Sequence, residues 1–136
     1  MEKIKVFVDW CDKNFGAAVD NNVPGAVVVT AKNYEKLQHD VAEALRFHVE
    51  DMLADGDDVP RWLAEGDYEL DYQLTTAALL RTCESYATLA AVSKVTGINQ
   101  RQLSHYANGR KTPRPAQRQR IVDGLHKIGS KLLAVV

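Results

Sequence analysis

Five residues between Gln100 and Asn108 have the chemistry to read the edges of DNA bases. Gln100, Arg101, Ser104, His105 and Asn108 fall where one side of an α-helix would present them together, on a face that is polar but not acidic. Glutamine can pair bidentately with adenine and arginine with guanine, while serine, histidine and asparagine bond bases or phosphates. Only a few of the five are expected to touch bases. The run that follows, Gly109 to Arg120, reads GRKTPRPAQRQR. Its Arg110, Lys111, Arg114, Arg118 and Arg120, with Asn99 at the head of the reading helix, suit phosphates, which hold a reader in register without specifying sequence.

Other reactive side chains do not assemble in this way. Cys11 and Cys83 are far apart and form no Cys-x-x-Cys pair, so two reduced thiols are expected and no disulfide or zinc site. His39, His48, His105 and His126 lack metal-ligand spacing. Asp9, in a strand-like run, and Glu43, in a helical one, are carboxylates of the kind that hold two metal ions in ribonuclease H. Two-metal phosphoryl chemistry needs several acids converging on ions about 4 Å apart, and the chain offers no clear third or fourth ligand. No catalytic residue, metal ligand or cofactor is therefore assigned.

The reading residues require a helix held firmly against a second one. Thr88 to Gly109, TLAAVSKVTGINQRQLSHYANG, contains two short helical patterns separated by Thr96-Gly97, where glycine can take the left-handed conformation of a tight turn. Leu89 and Val92 before the turn, Ile98 after it, and Leu103 and Tyr106 beyond are spaced to form one small core. Ser93 is small where the helices approach, and Asn99 is a good N-cap. Upstream, Thr75-Thr76 can cap a helix over Ala77 to Tyr86, with Leu79, Leu80, Cys83 and Tyr86 on its apolar side.

Downstream, Pro113 and Pro115 favour a rigid turn into a last helix, on which Ile121, Leu125, Ile128 and Leu132 recur in phase, widened by Val122 and Leu133. Part of that stripe is expected to pack on the core. Leu125, Ile128, Leu132 and Leu133 are also expected to join two copies, because an apolar end is costly to expose and one short reader makes few contacts. A homodimer, or a higher even oligomer, would read half-sites about one helical turn apart.

The first half has a different period. Ile4, Val6, Val8 and Trp10 alternate on one face of a strand, with Phe7 and Asp9 on the other. Cys11 to Asn14 has turn chemistry before a second run, Phe15 to Val19, so a hairpin is expected. Ala26 to Thr30 is continuous and β-branched, as in a strand buried on both sides. Asn33 can cap a helix carrying Leu37, Val41, Leu45 and Met52 at helical spacing, which Asp55-Gly56 stops. The segment Asp55 to Asp67 is expected to be a polar connection, and Tyr68 to Leu74 alternates again. The class is therefore α+β: a β-β-β-α-β domain over residues 1–74, followed by an all-α domain over 75–136.

Charge divides near the same place. Residues 1–76 carry 7 Lys/Arg against 16 Asp/Glu, and residues 77–136 carry 10 against 2, so a net charge of −1 hides two opposed halves. The basic half suits a polyanion and the acidic half a basic partner. No apolar run approaches the roughly 18 residues of a membrane span, and the first residues mix charge with apolar side chains instead of forming a signal-peptide core. A cytoplasmic protein acting on DNA, without a membrane partner, is expected.

Two resemblances give these halves names. The order of elements, with PGAVVVTAKNYEKLQHDVAEAL joining strand to helix and DGDDVP after it, resembles the N-terminal domain of HicB-type antitoxins over about Ile4 to Leu74. That family's domain has a truncated ribonuclease-H-like topology and binds HicA, a small basic RNA-cleaving toxin. Leu79 to Lys131, with its Gly and apolar spacing and SHYANGRKTPRP, resembles the Cro/repressor-type helix-turn-helix family. By position, Gln100, Arg101, Ser104, His105 and Asn108 fall at that family's groove-facing sites; Thr96 departs from it, standing where an apolar residue is common. Together the resemblances imply an antitoxin that covers a HicA-like toxin and represses its own promoter. The alternative is a plain helix-turn-helix regulator whose N-terminal domain senses a ligand or oligomerises.

Overall fold

The computed structural model describes residues 1–136, which divide into two compact units, Met1–Thr75 and Thr76–Val136. The first contains β1 (Glu2–Cys11), β2 (Asn14–Val19), β3 (Val28–Ala31), α1 (Tyr34–Ala54), α2 (Arg61–Ala64) and β4 (Tyr68–Leu74). Alternation along β1 buries Ile4, Val6 and Val8 almost completely, and Phe15 and Ala17 of β2 extend the same buried face. Leu37, Val41, Leu45, Val49 and Met52 form the buried stripe of α1. Asn33 caps that helix, its Oδ1 accepting from the Lys36 N–H at 2.8 Å.

The four strands form one mixed sheet in the order β3-β2-β1-β4. The β1–β2 hairpin closes through Asp12 and Lys13, both at positive φ (50° and 65°), the handedness that matches strand twist in a two-residue loop. β4 lies parallel to β1, with Ile4 opposite Leu70 and Val6 opposite Tyr72. Two expectations need correction. The third strand is Val28–Ala31, an edge strand with Val28 exposed, so its β-branched run does not mark burial on both sides. Asp55 to Asp67 is also not wholly polar connection: it holds α2, whose Leu63 is buried in a cluster with Ile4, Leu45 and Met52.

The second unit is four helices: α3 (Thr76–Cys83), α4 (Leu89–Thr96), α5 (Gln100–Ala107) and α6 (Pro115–Leu133). Leu80, Val92, Ile98, Leu103, Tyr106 and Ile121 share one core, with Leu89, Leu125 and Ile128 packed against it. Gly97 closes α4 at φ 76°, a conformation strained for a residue with a Cβ. Thr96 is buried just before it. Its hydroxyl donates to the Val92 carbonyl at 2.7 Å and accepts from the Ile98 N–H at 3.1 Å, which satisfies the polar atom. Its methyl faces Gly124 so closely that a Cβ there would lie 2.4 Å from it. Tyr86, expected on the apolar side of the first helix, lies beyond the end of α3 and is exposed; Thr76, Ala77, Ala78 and Leu80 are the buried residues.

The chain is α+β, and none of its helices is long and apolar enough to cross a membrane.

Candidate nucleic-acid interface

Helix α5 has two sharply different sides. At 100° per residue, Gln100, Ser104, Asn108, Arg101 and His105 span an arc of about 140°. Leu103, Tyr106 and Ala107, on the remaining arc, are buried. Gln100, Arg101 and Asn108 are exposed, and Ser104 and His105 half-buried. Asn99 starts the helix, its Oδ1 accepting from the Arg101 N–H at 2.8 Å, which leaves its amide nitrogen for an outside acceptor. Ser93 Oγ donates to the Ile98 carbonyl at 2.6 Å, tying α4 to the residue just before this cap.

The five residues of the arc are not equally free. Asn108 is engaged internally: its amide donates to the Ser104 carbonyl at 2.9 Å and its Oδ1 accepts from Arg81 at 2.7 Å. Arg81 also donates to the Ala107 carbonyl at 3.0 Å, so one guanidinium from α3 holds the C-terminal end of α5. The only trace of Arg81 in the sequence is a cation interrupting an apolar run. His105 Nδ1 is buried with no hydrogen-bond partner.

Among the basic residues, Arg110, Lys111, Arg114 and Arg120 are exposed. Lys111 and Arg114 border a cleft of about 590 Å³ that also touches Gln102, Tyr106 and Gln117. The Arg120 guanidinium lies beside the Gly97 turn, 3.2 Å from where a Cβ would be. Arg118 departs from the expected phosphate set: it is half-buried and donates to Thr76 Oγ1 at 2.9 Å, fastening α6 to the start of α3. Neither α5 nor α6 has an acid in its first turn, and no acidic residue occurs between Glu84 and Asp123. The expected dimerisation residues also divide. Leu125 and Ile128 pack against the core, whereas Leu132 and Leu133 are exposed.

The acidic unit has two contrasting surfaces. Along α1, Lys36 pairs with Asp40 at 2.8 Å and Arg46 with Glu43 at 3.7 Å, the ladder of a solvated helix. His39, Asp40 and Glu43 have donor atoms within 4.8 Å of one another on this exposed ladder. Further along, Glu50, Asp51, Asp55, Asp57 and Asp58 take part in no ion pair, and the last turn of α1 contains no base. Phe47, one turn before Glu50 and Asp51, is 57% exposed.

The other surface is the sheet face turned away from α1. Asp9 lies there, its Oδ1 accepting from Thr75 Oγ1 and from the Trp10 N–H, both at 2.8 Å. Asp9 and Glu43 thus belong to different surfaces and do not converge. On the covered side, Tyr34 and Tyr72 meet edge to face at 5.9 Å, and burial raises both phenol pKa values; for Tyr72 the nearby Tyr34 raises it further. Burial likewise raises the Cys83 thiol in the second unit.

Against known proteins, the chain matches no family model, no curated protein and no solved structure.

Proposed function

We propose that the second unit is a helix-turn-helix DNA reader and the first a HicB-like, truncated ribonuclease-H-like domain that covers a basic protein, so that the chain is an antitoxin repressing its own promoter. The observation that carries this reading is the acid-free polar arc of α5, exposed at Gln100 and Arg101 and flanked by exposed Arg110, Lys111, Arg114 and Arg120. Gln100, Arg101, Ser104 and His105 contact bases. Asn99 and the four flanking cations bind phosphates, and Asn108 works with Arg81 to fix the end of the reading helix.

Leu132 and Leu133 bring two copies together, giving two readers for a two-fold operator. The acidic unit carries 16 Asp/Glu against 7 Lys/Arg, which favours rapid capture of a small basic HicA-like ribonuclease. The unpaired carboxylates Glu50 and Asp51, one helical turn beyond the exposed Phe47 over whose ring Arg46 lies at 5.7 Å, are the most suitable surface for it, since an exposed aromatic beside uncompensated charge can anchor a basic partner. Inhibition by covering needs no catalysis from this chain.

The test has two arms. Fluorescence anisotropy with DNA from the gene's own upstream region should show specific binding that weakens steeply with salt; equal affinity for unrelated DNA would overturn the reader. Co-expression with an adjacent reading frame encoding a small basic protein should relieve that protein's toxicity and yield a stable complex. Specific DNA binding with failure of the second arm alone would leave a plain regulator, and failure of both would overturn the whole reading.

A further inference from the structure

We infer that the sheet face turned away from α1 is a self-association surface, through which the first unit pairs with the first unit of a second copy. No element of the first unit covers this face. Phe7 is 49% and Val28 70% exposed, and between them Gly16 and Ala18 leave a hollow of about 610 Å³. A Cβ at Gly16 would meet nothing within 4 Å. A contiguous apolar patch of this kind on a β-sheet is costly in water and marks an interaction site.

Charge decides between a basic partner and a second copy. The unpaired carboxylates belong to α1 and the loop after it, whereas the open face carries both signs side by side. Lys3 pairs with Glu69 at 3.7 Å, and Lys5 stands opposite Asp71 in the parallel register. A basic protein gains little on such a face. A second copy, related by a two-fold, can set each lysine stripe against the partner's acidic stripe while Phe7 and Val28 fill the two hollows.

Layer spacing supports the same occupant. Two sheets packed face to face place the helices outermost, as α1, sheet, sheet, α1, with successive layers about 10 Å apart. The two acidic helices are then about 30 Å apart, close to four Debye lengths at physiological salt. Packing through α1 would instead bring Glu50 and Asp51 of both copies into contact. The sheet face is therefore the one by which two strongly acidic units can meet without severe repulsion. Together with the proposed α6 contact, it makes the full-length chain a tetramer.

Sedimentation velocity on the full-length protein at tens of micromolar tests this. The wild type should have tetrameric mass, and Phe7→Glu should halve it. Leu132→Asp with Leu133→Asp should also halve it, and all three substitutions together should give monomer. The sheet-face variant and the α6 variant thus report separately on this inference and on the dimer proposed above. Val28→Lys, at an exposed position of an edge strand, serves as a second sheet-face variant should Phe7→Glu unfold, with circular dichroism as the control. Association should persist in 1 M NaCl. Wild-type mass unchanged by both Phe7→Glu and Val28→Lys, or a sheet-face association dissolved by salt, would overturn the proposal.

Discussion

The two units place charge against their helix dipoles in opposite senses. In the acidic unit, α1 follows the rule at its start, where Glu35 sits in the first turn, and breaks it at its end, where no base offsets Glu50 and Asp51. In the basic unit, α5 and α6 break it at their starts, with Arg101 in one first turn, Arg114 at the other N-cap and no acid in either. Each misplaced charge costs about 0.3–1 kcal/mol at an exposed helix end. Stability alone would not select this pattern twice with opposite sign. Unpaired charge of opposite sign is what the proposed partners, a basic protein and DNA, would each require, and the cores that tolerate the cost are separate.

That separation can be broken first through the cores. Leu45→Ala and Leu103→Ala should each cost about 2–5 kcal/mol, each confined to its own unit. Both tryptophans, Trp10 and Trp62, lie in the first unit, so tryptophan fluorescence reports it alone while circular dichroism follows both. A fluorescence midpoint lowered equally by both substitutions would show that the units unfold as one.

Next in size is the α4–α6 approach. Gly124→Ala should destabilise the second unit by about 1–3 kcal/mol by driving a methyl into Thr96, and Thr96→Ser, which removes the opposing methyl, should recover much of it. A double-mutant cycle in denaturant measures the coupling; its absence would mean that α6 shifts freely. Comparable in magnitude but different in readout, Arg101→Ala should weaken specific DNA binding by about 1–3 kcal/mol at particular base positions. Arg114→Ala should weaken binding to most sequences and lower the salt slope by about 1. Unchanged sequence preference in Arg101→Ala would remove α5 as the reader.

The dipole comparison makes a smaller prediction with an unusual sign. Glu50→Lys and Asp51→Lys should each stabilise the first unit by about 0.3–1 kcal/mol, seen as a raised fluorescence midpoint, while weakening capture of a basic protein. Destabilisation would mean that these carboxylates already have a favourable role in the fold. The smallest effect is alkaline. The raised folded-state pKa values of Tyr34 and Tyr72 mean that the unfolded chain loses these protons first. Their contribution is fully present below the ordinary tyrosine pKa, about 10, and is lost as pH rises through the higher folded values. Tyr72→Phe should flatten the fall in stability above that pH in urea titrations.

Much of the local structure was legible in the sequence because its cause is local. The alternation of Ile4, Val6 and Val8, the Asn33 and Asn99 caps and the left-handed Gly97 each follow from neighbouring residues. Where the cause lies elsewhere in the chain, the signal disappears. Val28 looks buried by composition, yet it shares with Phe7 and Ala18 the sheet face turned away from α1 and is exposed there. Leu63 sits among charges and prolines, and only the packing of α2 against Ile4 and Leu45 makes it core.

The candidate site divides in the same way. Helical phase alone groups Gln100, Arg101, Ser104, His105 and Asn108, but it does not reveal that Arg81 engages Asn108 or that Thr76 engages Arg118. Those bonds cross 27 and 42 residues of chain.

By itself, then, the sequence determined the periodicities, the caps and the opposition of charge between the halves, since each is set by residue type and short spacing. Only the tertiary structure decided which charges remain unpaired, that β4 lies beside β1, and that the second sheet face stays open around Phe7. The reason is physical: period and propensity specify which side of an element is apolar, whereas the neighbour that covers it is chosen by packing between segments far apart in the chain.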